Sequence, residues 1–401
     1  MRASPTLAAM AVYPFTRLDD AKRRVREAGV ELIDFGIGDP QEPTDPIIRQ
    51  ALVDGLRESS SYPVSAGLPE LREAIAAWVG RRFGTAIDPA TQVVPTYGSK
   101  EAIFSFALAT VDAPSGKDTV VVTEPGYPVG ERGALFAGAR VLRLQLLERN
   151  GFLPDLDAIP AAEWARISLF WVNYPNNPTG AVAPLGFYEE LARRAREHDF
   201  LLCSDEAYSE LWFDGPTASA LEVADGAVAA GASGGAAAAD PTRSLANIVV
   251  FNTLSKRSSM TGYRSGFVAG DPEVIATMRA FRPTIGTAPQ EFVQRASVVA
   301  WSDERHVGEA RARYAAKRAV LLSALRDCGL RVAASEATFY LWVHVPEGTT
   351  SEAFAERLLA GGIVATPGSY LGPSGEGFIR FALVPPLDAC ERAAAILRDL
   401  L

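Results

Sequence analysis

The stretch NIVVFNTLSKRSSMTGYRSGF, residues 247–267, runs from a continuous apolar segment into a polar loop that opens on Lys256 and carries Arg264 eight residues later. A strand that is apolar at successive positions has helices over both of its faces, the condition of a parallel sheet. In such a sheet the functional loops follow the carboxyl ends of the strands. A lysine at that point can serve solubility as readily as chemistry, so the surrounding chain decides its meaning.

The same pattern recurs outward from this segment. TVVVTE (119–124), ISLFWVNYP (167–175) and FLLCSDEAY (200–208) are short apolar runs separated by amphipathic helical stretches, the rhythm of an α/β fold with a mixed, mostly parallel sheet. Near residue 283 the pattern changes to a long charged helix over 301–327, a strand in FYLWVHV (339–345), a helix over 351–361, a strand in FIRFALV (378–384) and a terminal helix. These expectations divide the chain into a large domain, 41–282, and a smaller α+β domain, 283–401, to which the N-terminal segment 1–40 belongs. The segment 224–241, almost wholly Ala and Gly, lacks side chains that could anchor it and is expected to form a flexible surface loop.

With 401 residues, 48% of them hydrophobic, the chain is long enough for two cores. A formal charge of −9 without basic runs argues against nucleic acid as a partner. Cys203, Cys328 and Cys390 are odd in number and far apart, which predicts reduced thiols in a cytoplasmic setting rather than a disulfide or metal framework. His198, His306 and His344 show no ligand spacing and are expected to fill ordinary roles. No apolar stretch reaches the about 18 residues of a membrane span.

Four strand-end motifs carry the chemistry. YGSKEA (97–102) reads as a helix start that offers backbone amides to an anion, with Gly98 allowing close approach, Ser99 supplying a cap-like hydroxyl and Lys100 a further amide. SDEAY (204–208) puts Asp205 at the end of a buried strand, where an acid without a partner is costly. Glu206 points to the opposite face and is expected to be structural. NYPNNPTG (173–180) is a turn by composition, and TLSK (253–256) with Arg264 supplies an amine, a hydroxyl and a guanidinium. In this order the motifs resemble the class I/II aminotransferases of the fold-type I pyridoxal-phosphate enzymes, and the resemblance runs from GIGDP (36–40) to FIRFAL (378–383).

The resemblance implies a role for each residue. Lys256 would hold pyridoxal 5'-phosphate as a Schiff base and then carry a proton, its ammonium form disfavoured by burial and by Arg264. Asp205 would keep the pyridine nitrogen protonated, while Asn177 and Tyr208 hydrogen-bond the phenolic oxygen. Gly98, Ser99, Lys100, Thr253 and Arg264 would hold the phosphate, and Tyr127 would stack on the ring. Arg380, an arginine among apolar strand residues, would grip the substrate α-carboxylate beside Asn177 and the backbone of Gly38. Tyr62 would reach the phosphate of a neighbouring subunit, which implies a homodimer with shared sites.

Within the family, YPFTRLDDAKRR (13–24), LSKRSSMTGYRSGFVAGD (254–271), FYLWV and GGIVATPGSYLGPSGEGFIRFALVPP (361–386) most resemble succinyldiaminopimelate aminotransferases of actinobacterial type. That resemblance implies N-succinyl-LL-2,6-diaminopimelate as amino donor and 2-oxoglutarate as acceptor. The alternatives are LL-diaminopimelate, aspartate, alanine or aromatic aminotransferases, or a C–S lyase of the same fold. A distal carboxylate requires a second cation, for which Lys100, Arg17 and Arg282 are candidates. The distal arginine of aspartate-specific enzymes is not recognisable in RPTIGTAPQ (282–290).

Overall fold

A computed structural model of the chain describes residues 3–10, 15–59, 61–223 and 245–401. The Ala/Gly-rich segment 224–241 lies outside the described residues. The principal sheet has seven strands: β1 Val93–Thr96, β2 Thr119–Glu124, β3 Arg140–Gln145, β4 Ile167–Asn173, β5 Leu201–Asp205, β6 Ile248–Thr253 and β7 Gly266–Gly270. Their order in space is β1-β7-β6-β5-β4-β2-β3. Only β7 runs antiparallel to its neighbours, so the sheet is mixed and mostly parallel.

Both faces of this sheet are covered, as the continuous apolar runs require. Along β6, Ile248 and Val250 enter one core while Val249 and Phe251 enter the other. The first core is closed by helices Pro69–Phe83, Leu185–His198 and Glu291–Ser302, through Trp78, Leu191 and Trp301. Helices Ser99–Thr110, Val129–Phe136 and Pro272–Ile285 close the second, through Phe106, Ala134 and Met278. Each large apolar side chain so buried is worth about 1.5 to 3 kcal/mol.

A four-stranded antiparallel sheet follows, made of β8 Val332–Ala334, β9 Tyr340–His344, β10 Thr366–Pro367 and β11 Phe378–Ala382 in the order β10-β11-β9-β8. Helices Arg305–Asp327, Ser351–Ala360 and Leu387–Leu400 pack on it through Leu321, Phe354 and Leu397. Ile33 pairs with Ile363, and Phe35 meets the ring of Phe381, so residues 33–35 lie against the second group of elements, whereas Leu7 and Met10 line a groove with Phe104 and Leu108 of helix Ser99–Thr110. The change of packing partner expected at 283 falls after Ser302, because Ala296, Ala300 and Trp301 still belong to the principal core. Among the described residues no helix is long and apolar enough to cross a membrane.

Candidate active site

The carboxyl ends of β4, β5 and β6 meet at one edge of the principal sheet, with Asn173 beside Asp205 and Asp205 beside Phe251. Above this edge stands the second sheet, and between the two lies a cavity of 480 Å³. Asp205 lines it, and so do Lys256 and Arg380. Asn173 Nδ2 donates to the Asp205 carbonyl at 2.9 Å and ties the two strand ends together. The Asp205 carboxylate accepts from the backbone N–H of Ala207 at 3.3 Å and otherwise faces the cavity. Burial pushes its carboxyl up to about 7, against the smaller opposing pull of that hydrogen bond. Glu206 turns to the opposite side and is fully buried, accepting from Ser204 Oγ and the Ala220 N–H, each at 2.9 Å.

Lys256 sits on the single helical turn Leu254–Arg257 that follows β6 directly, with Thr253 as its cap accepting from Ser255 N at 3.2 Å. Burial draws the Lys256 ammonium down to about 8; Asp39 pulls the other way, while Arg380 and Arg264 add to the fall. Its Nζ donates to the carbonyl of Gly38.

One end of the cavity is built for an anion. Ser99, Lys100, Thr253, Ser255, Thr261 and Arg264 line it. Gly98 has φ +75° and begins the helix Ser99–Thr110; a Cβ on it would lie 2.4 Å from Arg264 Nη2, so only glycine admits the guanidinium there. The cap-like role expected of the Ser99 hydroxyl is not observed, because Gly98 is the capping residue and Ser99 is already helical. Glu101, three positions past the cap, reaches back to the N–H of Tyr97 at 3.3 Å. Backbone amides at a helix start, hydroxyls and a guanidinium are the donor set a phosphate monoester needs.

The opposite wall comes from the second sheet. Arg380 donates to Asn177 Oδ1 at 2.9 Å, to the Gly36 carbonyl at 2.8 Å and to Thr366 Oγ1 at 3.3 Å. Because a guanidinium only donates, Asn177 must turn its oxygen to Arg380, which leaves its NH₂ as the donor. Tyr208 Oη lies 2.9 Å from Tyr340 Oη, and the Arg380 guanidinium stacks 4.5 Å from the Tyr340 ring centroid. Tyr127 lines the cavity with Lys100 Nζ 5.9 Å from its ring centroid.

The structure thus brings Gly38, Ser99, Lys100, Tyr127, Asn177, Asp205, Tyr208, Thr253, Lys256, Arg264 and Arg380 to one cavity, with Gly98 behind Arg264. Tyr62 is 99% exposed and takes no part in the cavity of its own chain. Arg282 is excluded as a distal cation: it is fully buried, 3.0 Å from Glu101 and 3.0 Å from the Thr287 carbonyl, and so holds helix Pro272–Ile285 to helix Ser99–Thr110. The Arg17 side chain lies outside the described residues. Tyr340, Asn173 and Thr261 escaped sequence reasoning, since a tyrosine in FYLWV or a threonine in a polar loop carries no signal until the two sheets meet.

A planar, phosphorylated pyridine cofactor fits these residues. Phosphate-type donors, a carboxylate of raised pKa and an amine of lowered pKa all line the same cavity.

The family model for aminotransferase class I and II matches residues 30–397. The chain is 38% identical over 400 residues to an LL-diaminopimelate aminotransferase of Nitratidesulfovibrio vulgaris (strain DP4), covering 98% of each protein. It is 37% identical over 401 residues to an LL-diaminopimelate aminotransferase of Aquifex aeolicus, covering 99% of this chain and 98% of that one. Among solved structures, a probable N-succinyldiaminopimelate aminotransferase of Thermus thermophilus superposes with a TM-score of 0.84 at 31% identity, over 96% of this chain and 100% of the other.

Proposed function

Because the chain belongs to the class I and II aminotransferases, a pyridoxal-phosphate-dependent family, we propose that it moves the α-amine of a diaminopimelate-type donor to 2-oxoglutarate, with free LL-2,6-diaminopimelate as the donor. The observation that carries this choice is the near full-length similarity to LL-diaminopimelate aminotransferases. It displaces the succinylated donor expected from sequence as the first choice. That donor stays as a second reading, favoured by the Thermus structure.

Bound pyridoxal 5'-phosphate supplies an electrophilic carbonyl carbon for amines and a conjugated ring that withdraws electrons from it. The chain supplies the rest. The amides of Ser99 and Lys100, the hydroxyls of Thr253 and Ser255, and Arg264 bind the phosphate at the anion end of the cavity. Asp205 holds a proton at the ring nitrogen; placing a cation beside it also removes the burial cost that raises its own pKa. Asn177, its NH₂ left as a donor by the contact of its oxygen with Arg380, and Tyr208 would hold the phenolic oxygen. Tyr127, in the cavity wall, would cover one face of the ring.

Arg380 clamps the substrate α-carboxylate, and its contacts to Asn177, Gly36 and Thr366 fix the guanidinium plane before substrate arrives. With its amine free, Lys256 would be the group that takes up the proton from the substrate Cα and gives it back. A pKa of about 8 leaves an appreciable fraction of free amine near neutral pH. Of the three candidate cations, Lys100 is the one that lines the cavity among the described residues, and it would serve a distal carboxylate.

The test is a donor panel with 2-oxoglutarate, following glutamate. Free LL-2,6-diaminopimelate is expected to give the highest kcat/KM, with its N-succinyl derivative below it. Much faster turnover of aspartate, alanine or an aromatic amino acid would reject the substrate class, and pyruvate with ammonia in place of glutamate would indicate a C–S lyase.

A further inference from the structure

Outside the cavity, three elements meet behind the turn that carries Lys256. Ser258 ends that turn, its N–H donating to the Leu254 carbonyl at 3.0 Å. Its Oγ lies 2.8 Å from Nε2 of His306, and Nδ1 of the same ring lies 2.5 Å from Asp303 Oδ2. Ser258 is 3% exposed and His306 4%, so water does not compete for these contacts. His306 stands in the first turn of Arg305–Asp327, the helix that leads from the principal core into the second. On the third side, Thr44 Oγ1 donates to the Ser259 carbonyl at 2.6 Å, and Asp45 pairs with Arg305 at 2.8 Å.

We propose that His306 is a positioning residue for Lys256, acting through Ser258 in a relay Asp303–His306–Ser258 that locks the lysine-bearing turn to the head of the helix joining the two cores. The inference rests on the reading of Lys256 as the cofactor-binding amine.

The relay has a required proton arrangement. With Nδ1–H donated to the Asp303 carboxylate, Nε2 is an acceptor and the Ser258 hydroxyl donates into it. Protonating His306 reverses that bond and puts a second cation near Arg257, which is buried and hydrogen-bonds the Ala300 carbonyl and, at 2.8 Å, Glu304. The charged groups facing the ring from the packed elements are Arg257 on the lysine turn, Asp303 before the helix and Asp45 from the N-terminal side; Glu42, Arg49, Glu309 and Arg313 line the same small cavity. Burial and Arg257 lower the His306 pKa, and they outweigh Asp303 and Asp45. The neutral relay is therefore the state present at and above neutral pH, and it fails as pH falls through the folded pKa.

The test uses holoenzyme variants His306→Phe, His306→Gln and Ser258→Ala. The pH titration of the cofactor's visible absorbance, kcat and KM are followed, together with the Tm of each apo-protein. Loss of the hydrogen bond from Ser258 into His306 is expected to shift the absorbance titration and to lower kcat about two- to tenfold with little change in KM. His306→Gln, whose amide can accept from Ser258 and donate to Asp303 without titrating, should recover wild-type behaviour. An unmoved titration and kcat in Ser258→Ala, with apo Tm unchanged, overturns the relay, and that variant decides alone if His306→Phe fails to fold. Borohydride fixation separates the two ideas: label on a lysine other than Lys256 overturns the lysine assignment and the relay with it, whereas label on Lys256 with an unmoved titration overturns the relay only.

Discussion

Asp205 shows how one residue carries both a functional demand and its cost. In the apo-protein its carboxyl binds a proton up to about 7, while the unfolded chain releases that proton near 3.8. The folded state therefore holds more protons across that window, and this group makes the apo-fold less stable as pH rises through it. Above about 7 the loss is complete. Asp205→Asn should accordingly raise the apo Tm at pH 8, by roughly 1 °C for each kcal/mol recovered in a chain of this length, as differential scanning calorimetry would register. The same variant should lose about 100-fold or more in kcat, because no carboxylate remains to hold the ring proton. Near-normal kcat would sink the assigned role.

Gly38 is a second such position. A Cβ there would stand 2.0 Å from Tyr340 Oη, and that tyrosine carries both the contact to Tyr208 and the face on which Arg380 stacks. Gly38→Ala should displace Tyr340 and lower kcat/KM by about tenfold or more with every donor alike. An effect confined to one donor would point to a specificity role instead.

At the scale of elements, the helix Ser99–Thr110 must begin at a defined place for its first amides to face an anion. Its sequence sets this with Gly98 at the cap and Glu101 reaching back to Tyr97. Glu101 also receives Arg282 from helix Pro272–Ile285, so one carboxylate fixes the helix start and joins two helices. Glu101→Ala leaves a fully buried guanidinium with a carbonyl contact and no counter-charge. The expected cost is about 3 kcal/mol in urea unfolding, with weakened pyridoxal-phosphate affinity in equilibrium titration. A change in stability below about 0.5 kcal/mol, the range of an ordinary surface substitution, would contradict this account.

At the scale of the molecule, the exposure of Tyr62 fits a residue that serves another subunit. Beside the cavity, an apolar groove lined by Leu108, Phe136 and Ile285, and by Leu7 and Met10 from the N-terminal segment of the same chain, shares Lys100 and Arg264 with it, and Leu7, Leu108, Phe136 and Ile285 are exposed. Such a patch is where a partner can dock, and a second copy of the chain would bring a Tyr62 with it. We propose a homodimer on these grounds. Mixing Tyr62→Ala with Lys256→Ala subunits should restore activity at one of the two sites of each heterodimer, measured against the separate variants. No recovery in verified heterodimers would count against shared sites.

The local reading of the chain determined the covered parallel strands, the order of the strand-end motifs, and Asp205 and Arg380 as charges that needed partners. These are legible because periodicity and the cost of burying a charge act within a few residues of sequence. Tertiary structure alone decided the rest. It placed helix Glu291–Ser302 under the principal sheet, where Trp301 completes a core that no local pattern announces. It took Arg282 out of the candidate substrate site by pairing it with Glu101, 181 positions away. It gave Tyr340 a place between Gly38, Tyr208 and Arg380, and turned His306 from an ordinary histidine into the partner of Ser258. The physical reason is common to all four: an amphipathic helix, an arginine, a tyrosine or a histidine can satisfy the same local pattern with many partners, and only the packing of distant segments selects one.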